Sequence, residues 1–170
     1  LRFLIPTRGL IGFRSFFQKA TRGDGIMSST FAGYHGKQGK IRRSNQGFLV
    51  ASQAGISVAF GLTNAQERGK TMLDPGKQVY EGMIVGLHSR PADLVVNVCK
   101  EKKLTNMRSS TSEATVTLRP PKRLSLDQSI EFIANDEYIE VTPKNIRLRK
   151  MELDQNKRLA QRKKIKIYSL

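Results

Sequence analysis

Hydrophobic and polar positions along the chain change period several times, and each change marks a predicted element. Leu1-Arg-Phe-Leu-Ile5 reads as a strand closed by Pro6, which cannot donate to a ladder. Thr7 then stands as the N-cap of a helix through Ala20, with Leu10, Phe13 and Phe17 as its apolar stripe. Gly23-Asp-Gly25 stops that helix, and Ile26–Tyr34 follows as a second strand. A strand–helix–strand unit cannot cover its own faces, so it reads as the closing part of an α/β domain. From Gly47 to Leu118 short apolar runs dominate: Phe48–Ala51, Ser57–Leu62, Val79–Leu87, Leu94–Val98 and Ala114–Leu118. Gly55, Asp74-Pro-Gly76 and Arg90-Pro91 punctuate them, and Ala65–Arg68 is placed as a helical turn before Gly69. This spacing predicts an antiparallel β-rich domain, either a barrel or a sandwich.

Beyond Pro120-Pro121, Ser125 and Gln128 have the spacing of a capping box. The helix they open carries Leu126, Ile130 and Ile133 as its apolar stripe and stops at Asn135-Asp136. Tyr138–Val141 and Ile146–Leu148 are two further strands around Thr142-Pro143. Glu152–Lys164 is polar and basic, with only Leu153 and Leu159 to anchor it, so it is expected as a helical or frayed tail. The expected class is α+β, with an α/β unit over 1–35, a β-rich antiparallel domain with one or two helices over 36–150, and a basic tail over 151–170.

Charge narrows the function. Thirty Lys and Arg against fourteen Asp and Glu give a net charge of +16 and a pI near 10.4. Such a surplus opposes compaction unless a polyanion sits against it; nucleic acid leads, and an anionic membrane surface is second. No stretch approaches the about 18 apolar residues of a membrane span. The single Cys99 permits no internal disulfide and fits a reducing compartment. The chain opens on Leu1, with no signal-peptide pattern, and reads as a piece of a larger protein. The expectation is a soluble, cytoplasmic polyanion binder.

The cations are concentrated. Between the Leu94–Val98 and Ala114–Leu118 runs, Lys100, Lys102, Lys103 and Arg108 oppose only Glu101 until Glu113. The segment is too long for a tight hairpin and too polar to bury, so it should project into solvent. Thr105, Asn106 and Ser109 add hydrogen-bonding groups suited to sugar and phosphate oxygens. A second cluster, Lys37, Lys40, Arg42 and Arg43, lies in a Gly-rich stretch that is either a solvated linker or an RNA-facing loop. Arg119-Pro-Pro-Lys-Arg123, Lys144–Lys150 and the tail complete the basic set. The Phe residues read as core, so no aromatic stacking platform is expected. Binding directed at phosphates reads shape rather than base sequence.

Other chemistries fit poorly. Gly69-Lys70-Thr71 copies the end of a phosphate-binding loop, but Asn64 stands where its first glycine would be and Asp74-Pro75 bars a following helix. His35 and His88 show no metal-ligand spacing, and His88 reads as a structural histidine. Cys99 sits beside cations that could lower its pKa, yet no paired base accompanies it. Glu67, Asp74, Glu81, Glu131, Asp136 and Glu137 are scattered, without a paired-carboxylate pattern. No catalytic residue, metal or cofactor is expected here. A protein-interaction module, whose charge only keeps it soluble, is the rival from another class.

Several motifs carry a resemblance. Ile5-Pro-Thr-Arg-Gly-Leu-Ile-Gly-Phe-Arg14, Val79-Tyr-Glu-Gly82, Leu87-His-Ser-Arg90, Lys103-Leu-Thr-Asn-Met-Arg108 and Val141-Thr-Pro-Lys-Asn-Ile-Arg-Leu-Arg-Lys150 are similar to the C-terminal part of the BipA/TypA translational GTPases. The resemblance implies that 1–35 ends a ferredoxin-like, elongation-factor-G-like domain five and that Gly36 onward is the family's own C-terminal domain. It implies contact with large-subunit ribosomal RNA, and a loop at 100–113 reaching toward the acceptor end of transfer RNA. It further implies a role in large-subunit assembly and stress adaptation, a monomer with no membrane contact, and GTP and Mg held by a domain outside this sequence.

Overall fold

The computed structural model describes residues 1–39, 47–102 and 117–168, with side chains described to Gln161. A mixed sheet organises the second part of the chain. Its strands are β1 (Phe48–Ala51), β3 (Gly69–Thr71), β5 (Met83–His88), β6 (Leu94–Val96), β7 (Glu137–Val141) and β8 (Ile146–Lys150). A separate pair joins β2 (Gly55–Ile56) to β4 (Gln78–Val79). The main order is β6-β1-β5-β8-β7, with β3 also on β5. Every pairing is antiparallel except that of β1 with β6. Among the described residues the sheet stays open and does not close into a barrel.

Strand alternation sorts β1 onto two cores, since successive side chains point to opposite faces. Leu49 and Ala51 join Leu62, Ala65, Val79, Met83, Val85 and Val98 on one face. Phe48 and Val50 join Ile84, Leu87 and Leu148 on the other, where Leu124, Phe132 and Ile139 complete the packing. Helix α2 (Ala59–Gln66) covers the first face through Leu62 and Ala65. Helix α3 (Leu126–Phe132) reaches the second through Phe132.

Three expectations change here. Ser57–Leu62 is not a strand: β2 ends at Ile56, Val58 caps α2, and the run from Ala59 belongs to that helix, which also takes in Ala65 and Gln66 of the expected turn. Val79–Leu87 is broken at Gly82, whose φ of +80° makes the turn that returns Met83 N–H to the Tyr80 carbonyl. The stripe of α3 is also rotated, for Leu126 and Ile130 are exposed while Ser129 is buried and Phe132 packs inward. The capping box itself forms as read. Ser125 Oγ accepts from the Gln128 amide at 3.2 Å, and Gln128 Oε1 from the Ser125 amide at 3.1 Å. Replacing Ser125 by Ala should cost about 1 kcal/mol, checked by chemical denaturation.

In the first 35 residues only the helix takes regular form. Thr7–Gly9 makes a 3-10 turn, and α1 (Phe13–Ala20) starts from Gly12 rather than Thr7. Leu1–Ile5 and 26–34 pair with no strand among the described residues, which leaves Phe3 and Phe31 exposed. The aromatic side chains of this region are therefore not all core. Helix α1 closes with Gly23 N–H on the Gln18 carbonyl at 2.8 Å and Arg22 N–H on that of Lys19 at 3.2 Å. Arg22 thus takes the left-handed C′ position, φ +55°, where glycine is usual and a side chain costs about 1 kcal/mol. The tail is helical over α4 (Gln155–Tyr168), with Asp154 Oδ1 accepting from Lys157 N–H and Glu81 Oε1 from Gln155 N–H.

Candidate nucleic-acid interface

Both stems of the basic loop are fixed to one helix. On the incoming side, Val58 N–H, just before α2, donates to the Val98 carbonyl at 3.0 Å. One turn on, Gly61 lies so close to Val98 that a Cβ would stand 2.6 Å from its carbonyl carbon. Val98 itself is buried in the first core. On the outgoing side, Gln66 at the last position of α2 holds Arg119 at two points. Its Nε2 donates to the Arg119 carbonyl at 2.8 Å, and its Oε1 accepts from the Arg119 amide at 3.0 Å. Lys122 N–H then ties to the Thr71 carbonyl on β3 at 2.8 Å. An eight-residue helix therefore grips the chain on both sides of the loop, and Cys99 and Leu118 pack beneath it. Loops carry binding groups best when a rigid scaffold positions them.

Of the predicted loop residues, Lys100 and Lys102 are described; Lys100, Glu101 and Lys102 are all exposed just above this anchorage. Lys103, Thr105, Asn106, Arg108 and Ser109 lie outside the described residues, as do Lys40, Arg42 and Arg43 of the second cluster. The strand expected at Ala114–Leu118 falls outside them up to 116, and Thr117 and Leu118 are not in a strand. Lys37 is exposed. Its neighbourhood is tied to the first segment, because Arg8 donates to the carbonyls of Gln38 and Gly39, the latter at 2.8 Å.

The remaining basic clusters divide by pairing. Arg123 meets Asp74 at 3.3 Å in an exposed ion pair, and Arg149 meets Glu140 at 2.6 Å. Lys150 leaves the predicted phosphate-facing set altogether. Its ammonium is buried between Asp93 at 2.7 Å, Glu137 at 2.5 Å and Asp136 at 3.0 Å. Asp93 Oδ1 also accepts from Phe48 N–H, and Glu137 Oε2 from Ala134 N–H, so the cluster ties β1, β7 and β8 together. Burial pushes the Glu137 carboxyl up, while Lys150 and the Ala134 amide pull it down. Burial pulls Lys150 down, but its bonds to Asp93 and Glu137 outweigh that and hold it above the ordinary lysine value. Of the scattered carboxylates only the neighbours Asp136 and Glu137 come together, joined by Asp93, and they do so around a lysine. Their oxygens lie within 4.8 Å of one another, and the ammonium stands where a cation would. Strand period places Lys150 on the inward face of β8 with Leu148, but it does not name the acidic partners.

Gly69-Lys70-Thr71 forms β3, with no helix behind it to present free amides to a phosphate. The His88 ring contacts the Ala92 carbonyl across the turn after β5, in keeping with a structural role. Cys99 is half-buried against Gly55, and burial pushes its thiol up rather than down as neighbouring cations had led one to expect. A raised thiol pKa opposes use as a nucleophile. No helix among the described residues is long and apolar enough to cross a membrane.

Comparison with known proteins bears on this arrangement. The TypA/BipA C-terminal domain family matches residues 46–155, and the elongation factor G C-terminus family matches residues 1–44. A protein named large ribosomal subunit assembly factor BipA from Escherichia coli (strain K12) is 48% identical over 159 residues, covering 93% of this chain and 26% of that protein. Its namesake from Bacillus subtilis (strain 168) is 45% identical over 171 residues, covering 100% of this chain and 28% of that protein. That from Synechocystis is 44% identical over 151 residues, covering 89% and 25%. The chain spans about a quarter of the length of these relatives.

Proposed function

The chain belongs to the TypA/BipA C-terminal domain family, and from that premise we propose that it is a ribosome-binding region whose basic loop contacts RNA of the large subunit. The observation that carries the reading is the double anchorage of the loop on α2, which gives a long cationic segment a fixed base. In this reading Lys100, Lys102, Lys103 and Arg108 neutralise phosphates, while Thr105, Asn106 and Ser109 donate hydrogen bonds at the tip. Lys37, Lys40, Arg42 and Arg43 form a second patch, which Arg8 steadies from the neighbouring segment. Residues 1–35, 36–150 and 151–170 act as three units, the first closing an elongation-factor-G-like domain. The chain works as a cytoplasmic monomer in large-subunit assembly and stress adaptation, with the loop approaching the acceptor end of transfer RNA. It holds no cofactor of its own, and a GTPase domain elsewhere in the full-length protein supplies the nucleotide chemistry. The names of the relatives support the assembly role.

Salt separates this reading from a protein-interaction module. If about six phosphates are neutralised, log affinity for purified large subunits should fall with log salt at a slope of roughly −4 to −5. Co-sedimentation across a salt series measures it. A nearly flat dependence would point to apolar anchors and set the RNA reading aside.

A further inference from the structure

The charge surplus is not confined to the loop. A cleft of about 380 Å³ opens between α1 and α3, and Lys19 and Arg22 line it from one side while Lys122 lines it from the other. The first two belong to the segment matched by the elongation factor G C-terminus family, the third to the TypA/BipA-matched segment. Among the described residues none of the three cations is in an ion pair, whereas Arg123, Arg149 and Lys150 all are.

Several groups on the cleft's far side are held in place, although Gln18, Lys19, Arg22 and Gln128 are exposed. Lys122 is fixed at its backbone by the bond to Thr71, and its ammonium lies 4.7 Å from the centre of the Phe132 ring. Gln128, also in the lining, spends its Oε1 on the Ser125 amide in the capping box, which leaves Nε2 as its donor. Arg22 lines the cleft from a left-handed position, φ +55°, where glycine would be the unstrained choice. One carboxylate, Glu131, shares the lining, pressed against Gly12.

We propose that this cleft is a phosphate-binding site, with Lys19, Arg22 and Lys122 as its charged ligands and Gln18 and Gln128 as neutral donors. Arg supplies a planar fork for two oxygens and the lysines supply point charges, a combination suited to a phosphate oxyanion. The electrostatics agree: burial pulls the Lys122 ammonium down, Lys19 and Lys70 add to that, and Glu131 opposes it. An anion in the cleft would relieve the repulsion among these cations. Because the ligands come from both matched segments, an occupied site would also hold α1 against α3. The site stands independently of the loop reading. The phosphate would come from an RNA backbone or from a free phosphorylated small molecule.

The test uses the whole chain with Lys100, Lys102, Lys103 and Arg108 changed to Ala, so that loop binding contributes nothing. Titration calorimetry with inorganic pyrophosphate at constant ionic strength should show saturable binding. Arg22→Gly and Lys122→Gln should each weaken it about tenfold. Arg22→Gly suits the left-handed backbone, so loss there is not misfolding. Glu131→Gln should tighten binding several-fold, a gain that damage to the fold cannot produce. A single-stranded uridylate 12-mer that displaces pyrophosphate identifies RNA as the source; failure to displace it identifies a free phosphorylated compound. Absence of pyrophosphate binding, or binding indifferent to all three substitutions, would overturn the site. Loss of loop-dependent ribosome binding leaves this result untouched, and the reverse also holds.

Discussion

Replacing Lys150 by Met is expected to cost about 3–5 kcal/mol of folding stability, the range for removing one partner of a buried ionic cluster. The Lys150 side chain is 3% exposed, and the Glu137 side chain facing it is fully buried. Without Lys150, the buried Glu137 carboxylate would be left unpaired beside Asp93, with the more exposed Asp136 adding a screened repulsion. Urea unfolding followed by circular dichroism reads the loss as a lower midpoint at constant slope. A Lys150→Met chain that also carries Glu137→Gln should recover part of the loss, because the excess negative charge falls. The pH dependence carries a second signature. Since Lys150 titrates above the ordinary 10.5, its stabilisation is complete below that value and is lost as pH rises through the folded value. The natural chain should therefore weaken in that alkaline range through this group, and Lys150→Met should lack that component. Equal stability of variant and natural chain would remove the cluster from the account of the fold.

The second large effect is expected at Gly61. Ala in place of Gly inside a helix normally stabilises by up to about 1 kcal/mol. Here the added methyl would meet the Val98 backbone, which has no rotamer to yield. Overpacking of this kind costs about 1–3 kcal/mol, so Gly61→Ala should destabilise despite its better propensity. The lost grip falls on the incoming stem of the loop. Trypsin should then cut after Lys100 or Lys102 faster in Gly61→Ala than in the natural chain. A stabilised variant with unchanged cleavage would mean that α2 does not clamp this stem.

Local signals explain what could be read in advance. The capping box at Ser125 is a contact between near neighbours, and it forms at the residues that spell it. Strands β1, β7 and β8 follow apolar runs or alternation, which the pleat imposes directly. Ser57–Leu62 misled because a short apolar run has no period that separates a buried helix from a strand. Leu1–Ile5 and 26–34 have strand composition, but a strand needs a neighbour to complete its ladder. The Lys150 cluster was illegible for another reason: Asp93 comes from the lead-in to β6, and only the fold brings it to β8. The loop cations are plain in the sequence, but their shared footing on α2 depends on Gln66 meeting Arg119 and Gly61 meeting Val98. Polar Gln66 and small Gly61 carry no pattern that announces a clamp.

The most direct test of the loop as the RNA-contacting element compares two chains on purified large ribosomal subunits. One is the natural chain; the other has Lys100, Lys102, Lys103 and Arg108 changed to Ala. Co-sedimentation at several salt concentrations should show weaker binding for the variant and a salt slope shallower by roughly 3, reflecting four lost phosphate contacts. Equal affinity and equal slope for the two chains would contradict the account and move the interface away from this loop.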